Sequence, residues 1–349
     1  MKIKHKFFYA LVFVVLSAQA QVTKQVEVVA ELAIRPGNVA VSKSNRIFMT
    51  VHPLGGEKVQ LVEILGKNRY RPFPTAAMQN KQEKAMPESF DTPLGLRVDK
   101  NGVLWVIDMG LHLGKTRLWA IDIATEKVVF KFDFPKELAP KGSFIQDLAV
   151  DASGGWVYLA DIANPGILVL NTKTKELQRL QHPLFNAEDV DLIIDGKQIQ
   201  FGGKPARVAI NPITLSDDKK TLFFGAMNGT KLYSVATKHL QAKQQLKSAY
   251  FHVVGKKPLS DGIATDAQGN HYITNLEAGG IDVLQQNGRL KPLIRDKRFD
   301  WPDNVAIGPD GSLFVAVNQL YKTPAFTGSK DLGKPPYFLL KIPANHIHK

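Results

Sequence analysis

Gln146, Asn211, Asp261 and Asp303 are residue types that bind cations and move protons, and they recur at one position of an internal repeat. Each stands two residues before an apolar residue, respectively Leu148, Ile213, Ile263 and Val305, at the start of a strand-like segment. A ring of carboxamide and carboxylate oxygens suits a hard divalent cation, calcium or magnesium rather than zinc. The same carboxylates can accept a proton or activate water, which makes Asp261 and Asp303 the candidate catalytic groups. Gly37 and Leu94 hold the same position in the first two repeats and supply no donor. Asp and Asn also cap backbone groups at strand entries. The ring reading therefore depends on a fold that brings these distant residues together.

A second set lies at or just beyond the ends of the returning strands: Asp108, Asp161, Asn275 and Asn318. These are expected to rim the entrance or to serve as turn residues. Trp301, just before Pro302-Asp303-Asn304, is expected to form an apolar wall or to pack between repeats. Other catalytic vocabulary is missing. His52, His112, His182 and His252 are scattered without an HExxH pattern, no G-x-S-x-G occurs, and the Gly55-Gly56 and Gly202-Gly203 pairs lack a phosphate-loop context. The chain has no cysteine, which excludes disulfides, thiolate metal sites and cysteine nucleophiles.

The elements that must position the ring are strands. An apolar strand, a polar turn and a second apolar strand recur at Asn38–Phe48, Leu94–Val106, Asp147–Leu159, Pro212–Phe224, Gly262–Thr274 and Asn304–Ala316. Period-two alternation around Asp, Asn and Gly turns is the pattern of hairpins. Outer strand pairs follow the copies, as in Leu118–Asp122 with Lys127–Phe132 and Gly280–Leu284 with Leu290–Ile294. Six copies of four strands predict an all-β, six-bladed propeller, in which the first strand of each blade lines the axis. Val26–Ile34 and Tyr337–Ile342 are expected to share one blade and close the ring. Leu65–Ser89 fits the repeat poorly and reads as an excursion, and Lys322–Pro336 reads as a long loop. A helix-rich α/β alternative finds one modest helical segment, Ala236–Ser248.

The 349 residues hold 45 Lys and Arg against 32 Asp and Glu, a formal charge of +13. The basic residues are dispersed in short groups near turns, which argues against a nucleic-acid partner. Lys2, Lys4 and Lys6 precede the apolar run Phe7–Leu16, and Ala18-Gln19-Ala20 follows. This is the grammar of a signal peptide over residues 1–20, leaving 21–349 as one exported propeller domain, periplasmic or extracellular. The run is short for a membrane span, and no cysteine offers a lipid attachment point, so no stable membrane anchor is expected.

Phe299-Asp300-Trp301-Pro302-Asp303-Asn304, with Leu104–Gly110, Ser143–Leu148 and Ser260-Asp261-Gly262, resembles the major royal jelly and yellow protein family. That resemblance implies a secreted six-bladed propeller; some members bind small amines in a central pocket and others are linked to pigment metabolism. More broadly, the chain resembles gluconolactonase and senescence-marker propellers. There a channel metal held by Glu, Asn and Asp polarises a lactone carbonyl and lowers the pKa of water. Carried over by repeat position, Asn211 matches an asparagine ligand, Asp261 the aspartate ligand and base, and Gln146 the place of a second asparagine. Gly37 stands where the glutamate would be, with Asp303 as the neighbouring carboxylate that would compensate. Two functions follow: metal-assisted hydrolysis of a lactone or related ester, or small-molecule binding without turnover.

Overall fold

The computed structural model describes residues 26–55, 58–79 and 87–347. The predicted signal peptide lies outside the described residues. Six four-stranded antiparallel sheets form six blades around one axis. The inner strands are Pro36–Val41, Pro93–Val98, Ile145–Asp151, Ile210–Leu215, Ile263–Thr265 and Pro302–Ile307. Each contacts the next, and the last contacts the first, so the ring is closed. Blade six runs Pro302–Ile307, Leu313–Val317 and Tyr337–Ile342, and Glu27–Leu32 from the other terminus pairs with Tyr337–Ile342 as its fourth strand. Both ends of the chain are thus needed for one sheet, as the sequence predicts.

The repeat register is the one read from the sequence. Val39, Leu96, Leu148, Ile213, Ile263 and Val305 face Met49, Val106, Leu159, Phe224, Ile273 and Val315 across each inner ladder. Turn glycines at 102, 155, 269 and 311 have positive φ between 78° and 80°. The copies without a turn glycine place Asn45 and Lys219 in that region instead, at φ 60° and 62°. An L-residue there costs about 1–2 kcal/mol, less for Asn.

A single blade cannot bury both of its faces, so the apolar alternation of each strand is buried between neighbouring blades. Phe48, Phe73, Phe90 and Trp119 fill the space between blades one and two. Tyr158, Phe185, Phe224 and Phe251 do the same between blades three and four. Full burial of such a side chain contributes about 1.5–3 kcal/mol.

Two features depart from the repeat. Outside the repeat, residues 73–79 follow the outer strands Leu61–Gly66 and Arg69–Pro72 of blade one, with Phe73 and Gln79 buried against that blade. Between blades three and four, two short hairpins pair Ile193–Ile194 with Lys197–Gln198 and Gln200–Phe201 with Lys204–Pro205. The sequence pattern did not announce these hairpins. They join Trp301, Met227, Leu276 and Leu320 in an apolar cap over one end of the axis. Within Ala236–Ser248 the α-helix covers only Thr237–Gln241. Among the described residues no helix is long and apolar enough to cross a membrane.

Candidate functional site

The inner ladders slip close to their starts, between Pro36 and Val39, Pro93 and Leu96, Ile145 and Asp147, Ile210 and Ile213, and Pro302 and Asn304. A bulge leaves a residue unpaired and re-aims its side chain. Gln146, Asn211 and Asp303 lie in these bulges. In blade five the ladder begins only at Ile263, and the backbone N–H groups of Asp261 and Gly262 each donate to Thr274 Oγ1 at 3.0 Å. Asn38 uses the same device in blade one, donating its N–H to Thr50 Oγ1 at 2.9 Å. A Cβ on Gly262 would lie 2.6 Å from the carbonyl oxygen of Asp303. Glycine there lets the starts of blades five and six, which carry Asp261 and Asp303, meet.

The four predicted residues converge. Gln146 Nε2 donates to Asn211 Oδ1 at 2.5 Å, and Asn211 Nδ2 donates to Asp261 Oδ1. The second oxygen of Asp261 accepts the indole N–H of Trp301 at 2.8 Å. Asp303 Oδ1 accepts Asn38 Nδ2 at 3.2 Å, and Oδ2 accepts Asn318 Nδ2 at 2.6 Å. Every carboxylate oxygen therefore faces a neutral N–H, and neither residue has a cationic partner among the described residues. Burial pushes the Asp261 carboxyl up to about 7, opposed by the Trp301 and Asn211 hydrogen bonds. Burial also raises Asp303 well above its ordinary range, reinforced by the neighbouring charges of Asp261 and Asp147. Asp147 itself is bound to Arg97 at 3.2 Å.

These groups border a chamber of about 330 Å³. Gln146, Asp261 and Asp303 share its lining with His52, with Arg207, which Asp189 and Asp191 hold at 2.7 and 2.6 Å, and with apolar side chains that include Leu94, Phe144, Ile162, Phe201 and Phe326. Trp301 is the wall, stacked on Tyr321 at 5.9 Å between ring centroids and edge-on to Phe326 at 5.4 Å. Its backbone φ of 64° is an outlier for a bulky residue, held by Asn318 N–H donating to its carbonyl at 3.2 Å. A larger groove of about 520 Å³ lies against the other side of Trp301. It is an open surface feature where Asp300 pairs with Lys322 and Asp296 pairs with Arg298, whose charges are already matched.

Leu94 is what fills the donor-free half of the ring. A Cβ on Gly37 would meet Leu94 Cδ1 and Thr50 Oγ1, each at 2.7 Å, so no larger side chain fits there. Among the described residues, no group of three or more His, Cys, Asp or Glu is placed to hold a metal.

Of the expected rim residues, only Asn318 reaches the site. Asp108 is bound to Arg117 at 2.7 Å and accepts the N–H groups of Asp91 and Thr92. Asp161 is bound to Arg179 at 2.7 Å and accepts the N–H groups of Phe144, Ala163 and Asn164. Asn275 donates to Asp282 at 2.9 Å. The reason is the period of two. Asp108 and Asp161 pair with Pro93 and Ile145, as Val51 and Val317 pair with Pro36 and Pro302. The next residue along points to the axis, and there stand His52, Ile162, Met227 and Asn318. His52 and Asn38 are site residues that the sequence reading passed over, and a one-step shift of the repeat position would have found them.

A family model described as major royal jelly protein matches residues 92–322. L-dopachrome tautomerase yellow-f of Drosophila melanogaster is 22% identical over 299 residues, covering 74% of this chain and 66% of that protein. Protein yellow of Drosophila subobscura is 25% identical over 234 residues, covering 60% of this chain and 40% of that protein. Among solved structures, a gluconolactonase from Xanthomonas campestris superposes with a TM-score of 0.55 at 12% identity, covering 91% of this chain and 88% of that one. At that identity the likeness concerns the propeller fold alone. With the match to the family model over most of blades two to six, the chain belongs to the major royal jelly protein family.

Proposed function

We propose that the central chamber binds a small, largely apolar ring molecule and that the Asp261–Asp303 pair moves a proton on it. The observation that carries this reading is the pair itself: two buried carboxyls with no cation paired to either, at the edge of a mostly apolar chamber whose Arg207 is held by Asp189 and Asp191. Burial and the charge of each on the other disfavour ionising both, so the pair keeps a proton more readily than ordinary carboxyls do. One carboxylate then takes a proton from the bound molecule while the protonated partner returns one at another atom. The molecule is rearranged, its composition is unchanged, and no water or redox partner enters. Tautomerisation is a reaction of this kind, and one relative bears the name of a tautomerase.

A hard divalent cation fits these residues less well than a proton does. It prefers six or more oxygen ligands. Here the oxygens of Asp261 and Asp303 accept N–H groups, Asn211 Oδ1 accepts from Gln146, and Gly37 and Leu94 add nothing. Export belongs to the same reading and rests on the basic and apolar leader before Gln21.

The test is to incubate purified protein with an uncharged enolisable ring ketone, 2-indanone, and, separately, with a panel of lactones, in heavy water. Proton transfer puts solvent deuterium into a product of unchanged composition, and hydrolysis adds water. Asp261→Asn should cut the proton-transfer rate by about a hundredfold or more. An unchanged rate in Asp261→Asn removes this assignment. Lactone turnover that needs added calcium or magnesium replaces it with the hydrolase reading. Saturable binding without turnover leaves a binding propeller.

A further inference from the structure

The chamber holds a polar group that the carboxyl pair leaves unused. His52 lies one residue past the second strand of blade one, Ile47–Val51, at the repeat position that faces the axis. It lines the chamber beside Leu54 and Leu94 and is only 3% exposed. Its ring Nδ1 accepts the backbone N–H of Leu54 at 3.2 Å. Its own backbone N–H donates to the carbonyl of Arg35, and its carbonyl accepts from Gly55, both at 2.9 Å. A ring nitrogen that accepts puts the proton on the other one, so Nε2 carries the hydrogen. That Nε2–H meets no acceptor among the described residues.

Burial and the neighbouring Arg35 charge push the imidazole down to about 3, so it is a neutral donor. Arg35 does not compete for a ligand. Its guanidinium is held by Asp331 at 2.8 Å and by the carbonyls of Asn318 and Gln319. The Nε2–H is not among the buried polar atoms left without a partner, so it opens onto the chamber, and a ligand oxygen entering there takes the place of water as its acceptor. Arg207, also in the lining, is held by Asp189 and Asp191, so a neutral N–H in a chamber with two carboxyls offers an anion no free cation. It suits an uncharged oxygen, as in a ketone, aldehyde or quinone.

We propose that His52 donates its Nε2–H to a carbonyl-type oxygen of the ligand, so that the chamber selects uncharged ring molecules bearing such an oxygen. This rests on the acid–base reading above and extends it. A carbonyl held by a fixed donor draws electron density from its neighbours, which eases removal of an adjacent proton by the carboxyl pair.

Acetophenone and ethylbenzene test this, because they share a ring and a similar shape and differ in the carbonyl oxygen. Binding is measured on the wild-type chain, on His52→Gln, which keeps an N–H near the Nε2 position, and on His52→Leu, which has none. The wild type should prefer acetophenone by about tenfold, the usual worth of one neutral hydrogen bond. His52→Gln should keep most of that preference. His52→Leu should bind the two alike, with ethylbenzene affinity unchanged. The nitrogen-15 resonance of His52 Nε2 should move with acetophenone and stay put with ethylbenzene. A preference that survives in His52→Leu overturns the proposal, as does a wild type that binds the two equally. If the wild type takes up neither probe, the chamber reading falls with it. If only the preference is missing, the carboxyl pair stands and His52 does not act on the ligand.

Discussion

Asp108 and Asp261 are both buried carboxylates, and their surroundings are opposite. Asp108 has Arg117 at 2.7 Å, the N–H groups of Asp91 and Thr92, and Trp119 above. Burial raises its carboxyl, but Arg117 and the two backbone donors oppose that. Asp161 in blade three repeats the arrangement with Arg179 and backbone N–H donors. Asp261 has only an indole and an amide for partners, and Asp303 only two amides. The first pair ties a loop to a blade. In the second, charge is left uncompensated beside a chamber. Carboxylate position alone does not distinguish the two kinds; an arginine further out in the same blade, on the next strand for Asp108 and on the strand after that for Asp161, does.

The largest expected effect separates them by stability. Removing one partner of a buried ion pair leaves the other charge stranded, so Asp108→Ala or Asp161→Ala should destabilise the fold by about 3–5 kcal/mol in urea titrations. Asp261→Asn should cost far less, since no cation is stranded. Equal losses would erase the distinction.

The next effect is the dependence on pH. Asp261 binds its proton more tightly folded, at about 7, than its ordinary 3.8. Between those values the folded state holds more protons than the unfolded one, so stability falls as pH rises from the lower to the higher. Asp261→Asn should flatten that decline in melting curves taken across the range. An unchanged slope would move the proton elsewhere.

A smaller effect concerns the donor-free half of the ring. Gly37→Ala should destabilise by about 1–3 kcal/mol, because the added methyl overpacks against Leu94 and Thr50. If Gly37→Ala is neutral by thermal denaturation, Leu94 does not fill that position as described.

The smallest effect probes Trp301. Trp301→Phe keeps most of the wall but removes the N–H that donates to Asp261. Losing a donor to the charged form disfavours that form, so the Asp261 titration should move further upward. A downward move would mean that the indole stabilises the protonated acid.

Much of this was legible in the chain. The turn residues and the alternation around Val39, Leu96, Leu148, Ile213, Ile263 and Val305 fix the blade register, and the register places Gln146, Asn211, Asp261 and Asp303 together. The hairpins over the chamber were not legible, because their strands are only two residues long and too short to show alternation. The partners of Asp108 and Asp161 are not legible because Arg117 and Arg179 belong to the outer half of each blade, the third and fourth strands, where arginine reads as a solvated face. His52 was missed because a lone histidine carries no spacing signal until its blade position is known.

The central claim is that Asp261 and Asp303 hold a proton near neutrality, and carbon-13 NMR of the carboxyl carbons measures it directly. In the wild type a carboxyl resonance should titrate with a midpoint near 7, and Asp261→Asn should abolish or displace that step. If instead both carboxyls titrate as ordinary acids, with every midpoint near 3.8, the pair is fully ionised at neutral pH and the acid–base account is wrong.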